Sequence, residues 1–205
     1  MKTAKRNSGQ LVAVAGASQY GKSTWMHSQV KDAPRVLAWD PRGEFKKIGF
    51  KSFDKISDLA EALNETWAGK GQFSFSFGSL DDFDAFCELA YLWGMLWPSV
   101  IVAEEMADVT SSGKASSSWG GLVRKGLFYG NHMYAVVQRA QEIDKTTLGN
   151  ATVIHTHGFV IPLDIEYMAK TIGVSIEEMA AVEKYHFLER HAGDKKIRRG
   201  VTRKL

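Results

Sequence analysis

Apolar residues along this chain gather into short continuous runs separated by polar, glycine- or proline-containing breaks. Residues 11–15 (LVAVA), 35–40 (RVLAWD), 99–105 (SVIVAEE), 132–139 (HMYAVVQR) and 153–161 (VIHTHGFVI) are such runs. Runs of this length and character suit strands of a parallel sheet covered by helices, which have no face that needs to be polar. Residues 72–77 (QFSFSF) alternate instead, which puts Phe73, Phe75 and Phe77 on one side of a strand. Between the runs the period becomes helical. Leu59, Ala62, Leu63 and Trp67 share a face over residues 57–68. Asp81 or Asp82 can cap a helix carrying Phe83, Phe86, Leu89, Ala90, Trp93 and Leu96, which Pro98 stops. Residues 22–31 and 119–129 read as helices, and 143–150 as a short helix or looped link. Residues 164–172 and 175–182 read as two helices parted by Gly173, with Ser175 and Glu178 at capping-box spacing. Residues 185–190 and 197–204 flank Ala192-Gly193-Asp194, a hairpin signal. Strands alternating with helices predict an α/β domain with a mostly parallel central sheet flanked by helices, ending in a β-hairpin.

The break after the first run carries chemistry. Gly16-Ala17-Ser18-Gln19-Tyr20-Gly21-Lys22-Ser23, followed by Thr24, is G-x-x-x-x-G-K-[ST] in full, between a predicted strand and a predicted helix. Glycines at both ends let the backbone turn its N–H groups inward around a phosphate chain. The helix that follows points the positive end of its dipole at the same place. Lys22 has the reach for β- and γ-phosphates, and the Ser23 hydroxyl suits Mg²⁺. The alternative, a glycine-rich turn that only happens to contain Lys-Ser, does not explain why strand and helix both stand in place. The chain is expected to be a P-loop NTPase that binds a nucleoside triphosphate.

Two acids end the run at residues 99–105. A buried parallel strand delivers such residues to its carboxyl end, where ligands collect in open α/β sheets. Glu104 is therefore expected in the Mg²⁺ shell and Glu105 beside the attacking water, with solvated acids at a strand end as the alternative. The run at residues 132–139 similarly ends in the polar pair Gln138-Arg139. His155 and His157 alternate along a strand with no Cys, Asp or third His at ligand spacing, so they read as strand histidines without a metal.

Composition narrows the class without naming a function. The 205 residues fit one domain, and 44% hydrophobic with 24% charged residues is ordinary for a globular protein. A net charge of +3 is too small to argue from, but the basic residues are concentrated at the two ends. Residues 1–10 read as a basic arm, 11–190 as the ATPase domain, and 191–205 as a basic hairpin and tail. Lys195, Lys196, Arg198 and Arg199 in that tail suit either a charge-protected sheet edge or a phosphate-contacting patch. Cys87 is the single cysteine, which excludes an intrachain disulfide and suits a reducing compartment. No secretory leader or membrane-length apolar segment is present in the sequence, so neither secretion nor a membrane span is expected.

Taken in order, the phosphate loop, Asp40-Pro41-Arg42-Gly43-Glu44-Phe45, Glu104-Glu105, Gln138-Arg139 and Leu148-Gly149-Asn150-Ala151 resemble the FtsK–HerA superfamily of P-loop ATPases. Within it the chain is similar to the minimal genome-packaging ATPases of icosahedral viruses with an internal membrane. The resemblance covers residues 11–190. It implies a RecA-like (ASCE) core, ATP as substrate with Mg²⁺, a homo-oligomeric, hexamer-like ring, and translocation of double-stranded DNA into a preformed capsid. It further implies capsid or portal-vertex partners and a place in the host cytoplasm or at a virion vertex. By position it makes Gln138 the γ-phosphate sensor, and it calls for an arginine reaching a neighbour's site, Arg124 first and Arg139 second. Lys114, the one cation in the Ser-rich stretch at residues 110–118, is the candidate DNA contact of a central pore. Two other readings remain open from the sequence: a small-molecule kinase on a P-loop core, and a non-catalytic nucleotide-gated assembly protein.

Overall fold

Residues 9–67 and 71–203 are described by a computed structural model; residues 1–8 of the expected basic arm, and Lys204 in the tail, lie outside them. Strands β1 (Gln10–Ala15), β2 (Arg35–Trp39), β3 (Lys51–Phe53), β4 (Phe73–Phe77), β5 (Val100–Ala103), β6 (His132–Val137), β7 (Val153–Thr156), β8 (His186–His191) and β9 (Arg198–Val201) form one sheet. Helices α1 (Lys22–Val30), α2 (Ile56–Glu65), α3 (Phe83–Leu96), α4 (Ser117–Gly126), α5 (Lys145–Asn150), α6 (Pro162–Ile172) and α7 (Ile176–Ala180) cover it or connect its strands. The strand order is β3-β4-β2-β5-β6-β1-β7-β8-β9. Pairing is parallel from β3 through β7 and antiparallel only for β7·β8 and β8·β9. The chain thus has the mostly parallel sheet and the terminal hairpin that the pattern predicts. Among the described residues no helix is long and apolar enough to cross a membrane.

The unbroken apolar runs are explained by a core on each side of the sheet. Leu11 and Ala15 of β1, Leu37 and Trp39 of β2, Ile101 and Ala103 of β5, and Met133, Ala135 and Val137 of β6 face one core. The residues between them, Val12, Val14, Val36, Ala38, Val102, Tyr134 and Val136, face the other. Side chains alternate, but both sides are dry, so the alternation is invisible as hydropathy. The first core is the larger. There Trp39 meets Phe83 edge-on at 4.8 Å, Phe86 lies 5.5 Å from Trp39, and Trp119 is fully buried. Each such ring contributes about 1.5–3 kcal/mol by leaving water. Trp25, Met26 and Val30 of α1 cover the second core with Phe45.

Several boundaries differ from the pattern for local reasons. α4 begins at Ser117, before residue 119, because the Ser116 hydroxyl accepts a hydrogen bond from the Trp119 N–H at 3.2 Å and caps it. Asp82 occupies the N-cap position of α3, but its side chain makes no capping bond. Ser175 caps α7 by accepting from the Glu178 N–H at 3.1 Å, whereas the Glu178 carboxylate turns to Arg199 and leaves the box half made. β7 ends at Thr156, well before residue 161, because the chain beyond it leaves the ladder for the phosphate loop. β3 had no sequence signal; it is a three-residue edge strand, largely exposed.

Candidate nucleotide-binding site

The carboxyl ends of β2, β5, β6 and β1, side by side in the sheet, open into one cleft of about 500 Å³. Its floor is the turn between β1 and α1. Gly16 has φ 151° and Gly21 φ 107°, and Gly21 is the N-cap of α1. The glycines are required by neighbours as well as by any ligand. A Cβ on Gly16 would stand 2.7 Å from Cβ of His157, and one on Gly21 would stand 3.0 Å from Cδ1 of Tyr185. Gln19 takes positive φ without being glycine, at 64°. The loop is tied to the segments that follow β7 and precede β8: the Ala17 N–H donates to Gly158 O at 2.9 Å, and the Tyr185 N–H to Tyr20 O at 2.9 Å. Lys22 is buried and its Nζ donates to Gly16 O at 2.5 Å and Ala17 O at 2.9 Å. Burial lowers the Lys22 pKa, with Glu104 and Glu105 acting in the opposite sense. Ser18, Gln19, Ser23 and Thr24 also line the cleft.

The two acids stand differently although they are adjacent. The Glu104 N–H continues the ladder by donating to Trp39 O at 3.1 Å, so its side chain is buried at the cleft wall. Burial, reinforced by Glu105, pushes its pKa from 4.5 up to about 8. Glu105 leaves the strand in the left-handed region, φ 50° and ψ 45°. Such a conformation costs a non-glycine residue roughly 1–3 kcal/mol and persists only when its surroundings fix it. The Glu105 Oε1 accepts from Gln138 Nε2 at 2.8 Å and pairs with Arg42 Nη1 at 3.1 Å. The structure therefore brings Lys22, Ser23, Glu104, Glu105 and Gln138 into one cleft.

The turn after β2 supplies residues that no site assignment anticipated. Asp40 is buried and its carboxylate accepts from the N–H groups of Glu44 (2.8 Å), Phe45 (2.9 Å) and Lys46 (3.3 Å). Burial raises its pKa, and those bonds restrain the rise. With Phe45 buried as a plug, the turn presents Arg42 and Glu44 to the cleft. Lys184 and Tyr185 close the opposite side. They come from the segment just before β8, far from any motif.

His155 lies on β7, whereas His157, expected on the same strand, falls just past its end, and the pair sits directly beneath the loop. Both are fully buried; His155 stacks on Trp25 at 3.6 Å, and the two Nε2 atoms are 3.3 Å apart. Nδ1 of His155 meets Glu189 at 3.1 Å, and Glu189 also contacts His191. Burial and His155 hold the His157 pKa down at about 3, while hydrogen bonding to His155 holds Glu189 at about 2.

The remaining candidates are outside the cleft. Arg124 is exposed on the last turn of α4. Arg139 is bound within its own chain, to the buried Asp164 at 2.6 Å. Lys114 is exposed on the loop before α4, and Lys195, Lys196, Arg198 and Arg199 are exposed on the hairpin. Arg198 pairs with Asp194 at 3.1 Å and Arg199 with Glu178 at 2.5 Å.

A parallel sheet with a glycine-framed loop, a lysine and paired acids at its carboxyl end has the fold of a P-loop ATPase. Solved structures agree. The genome packaging NTPase B204 from Sulfolobus turreted icosahedral virus 2, in complex with AMPPCP, superposes with a TM-score of 0.72 over 93% of this chain and 96% of that one, at 16% identity. VirB4 of Thermoanaerobacter pseudethanolicus does so with a TM-score of 0.58 over 94% and 89%, at 10% identity. In sequence the chain is homologous to Protein P9 of Pseudoalteromonas phage PM2, 36% identical over 138 residues, or 65% of this chain and 61% of that protein. It therefore spans about three fifths of that relative's length. No family model matches the chain.

Proposed function

We propose that this chain is an ATP-driven motor that translocates double-stranded DNA, packaging a viral genome into a preformed capsid. The observation that carries the reading is the convergence of Lys22, Glu104, Glu105 and Gln138 in one cleft on a fold shared, almost end to end, with a genome packaging NTPase. The phosphate loop, Gly16 through Thr24, wraps the triphosphate with its N–H groups. Lys22 exchanges its loop carbonyls for β- and γ-phosphate oxygens.

The donors fit a magnesium ion. Among the described residues no group of three or more His, Cys, Asp or Glu forms a metal cage, whereas triphosphate-bound Mg²⁺ needs few protein ligands, the rest being phosphate and water. Ser23 and Glu104 would hold it, and it would neutralise charge on the phosphates. Glu104, whose burial favours the protonated form, would lose its proton as it does so. Glu105 accepts the proton of the attacking water as that oxygen bonds to the γ-phosphorus and the bridge to ADP breaks. Gln138, bonded to Glu105, reports the loss of the γ-phosphate.

In the ring we propose, Arg124 completes a neighbour's site. It is exposed, whereas Arg139 is tied to Asp164. Lys114 and the basic hairpin contact DNA phosphates without reading sequence. The protein acts in the host cytoplasm or at a virion vertex. The test is hydrolysis of Mg-ATP by the purified protein with and without double-stranded DNA. Stimulation by DNA, with no phosphate passed to nucleosides or nucleotides, is the expected result. Phosphate transfer to such an acceptor would make it a kinase, and binding without turnover would make it a nucleotide-gated assembly protein.

A further inference from the structure

β5 lies between β2 and β6, and the acid just beyond its end is held from both neighbours. Gln138, following β6, donates to Glu105 Oε1 at 2.8 Å, and Arg42, following β2, meets the same oxygen at 3.1 Å. Arg42 is half exposed, yet its backbone is fixed. The turn it belongs to is pinned by three N–H groups on the Asp40 carboxylate and by Gly43 at φ 68°. The neighbouring cation, Lys47, is paired with Glu44 at 2.5 Å, so Arg42 is the one set against Glu105. Glu105 in turn holds a left-handed backbone, which by itself would relax.

We propose that Arg42 is a positioning residue for hydrolysis. Together with Gln138 it pins Oε1 of Glu105, so that Oε2 is the oxygen presented to the attacking water. This rests on the reading of the cleft as an ATP-hydrolysing site. In the step, a water proton passes to Oε2, the water oxygen bonds to the γ-phosphorus, and the bond to the β–γ bridging oxygen breaks with its electrons going to ADP. Arg42 exchanges no proton; it fixes where the accepting oxygen stands. A misplaced reacting group costs rate more than it costs substrate affinity.

The experiment is steady-state ATP hydrolysis by the full chain as wild type, Arg42→Ala, Arg42→Lys, Glu105→Gln and the double variant Arg42→Ala/Glu105→Gln. Melting curves and affinity for a non-hydrolysable ATP analogue are measured alongside. Arg42→Ala is expected to lower kcat about 10- to 100-fold with KM within about twofold, since positioning and not binding is lost. Arg42→Lys should recover part of the rate, because it keeps the charge but not the fork. In the Glu105→Gln background, Arg42→Ala should add nothing. The proposal is overturned by an unchanged kcat, by a raised KM at constant kcat, or by an Arg42→Ala loss that persists undiminished beside Glu105→Gln. Should Arg42→Ala fail to fold, the comparison of Arg42→Lys with wild type in both backgrounds decides on the same criteria. A wild-type protein that does not hydrolyse ATP overturns the reading of the cleft, and this proposal with it.

Discussion

The cleft and the C-terminal hairpin both gather charge on the same sheet, and they hold it in opposite ways. At the cleft's centre two charged residues, Lys22 and Glu104, are buried, and neither is in an ion pair among the described residues. Lys22 is bonded to its own loop's carbonyls, and Glu104 is pushed towards the neutral acid at ordinary pH. On the hairpin the charges are exposed, and two of the arginines already have carboxylates, Asp194 and Glu178. Buried, uncompensated charge is unstable until a ligand of the right sign arrives, so such a site responds sharply to what binds. Solvated charge is weakly held, and its contribution is graded and screened by salt. Single substitutions should therefore be drastic in the cleft and incremental on the hairpin.

Lys22→Ala is the largest break of that contrast. It should remove measurable ATP turnover while the melting curve stays close to wild type, since Lys22 contacts loop carbonyls and not the core. Normal turnover in a folded Lys22→Ala protein would detach the cleft from function. Glu105→Gln follows. It should bind Mg-ATP but hydrolyse it slower by about 10²–10⁴-fold, because the amide keeps the shape and loses the base. A Glu104→Gln protein that binds and stalls while Glu105→Gln keeps its rate would exchange the roles of the two acids.

The third prediction concerns stability without nucleotide. Glu104 has a folded pKa of about 8 against 4.5 when unfolded, so between those values the folded chain binds more protons than the unfolded one. The stability that depends on this proton is complete below pH 4.5 and declines as the pH rises through 8. Glu104→Gln has no such proton to lose. Its advantage over wild type in urea midpoints should widen from pH 5 to pH 8, by at most roughly 4 kcal/mol at about 1.4 kcal/mol per tenfold change in proton affinity. A gap independent of pH would mean that Glu104 is not strained by its burial.

The smallest effects belong to the hairpin. If Lys195 and Lys196 touch DNA phosphates, replacing either by Ala should reduce the slope of log affinity against log salt by about one. Arg199→Ala should change that slope less, because its partner is Glu178. Filter binding to unrelated duplexes at several salt concentrations measures both, and equal slopes throughout would place the DNA path elsewhere.

What was legible in the sequence was what depends on neighbours along the chain. The phosphate loop needs a strand, two glycines and a helix start within residues 11–24, so its motif and context are read together. Glu104-Glu105 and Gln138 could be placed at strand ends because a strand's direction fixes where its last residues go. The contact of Arg42 with Glu105 depends on β2 and β6 flanking β5, an order that no local pattern states. The same holds for His157 under Gly16 and Tyr185 over Gly21, which join the loop to residues more than a hundred positions away. A buried histidine pair was visible as a pair; that it supports the phosphate loop was not. β3 escaped because an exposed edge strand carries no hydrophobic period.

The position of β1 has a consequence for how the protein comes into being. The strand that carries the phosphate loop is made well before its partners in the sheet, β6 and β7. The Leu11 N–H is held by the Thr152 hydroxyl across 141 residues of chain. A nascent chain therefore has the motif long before it has the site. Until Gly158 reaches Ala17 and His157 settles beneath Gly16, the loop lacks the backing that shapes it. Contacts so distant in sequence form late and make folding slow. Affinity for nucleotide should thus appear only after residues 153–185 have been made, so that a chain stalled or truncated before them, though it bears every motif residue of the loop, binds no nucleotide.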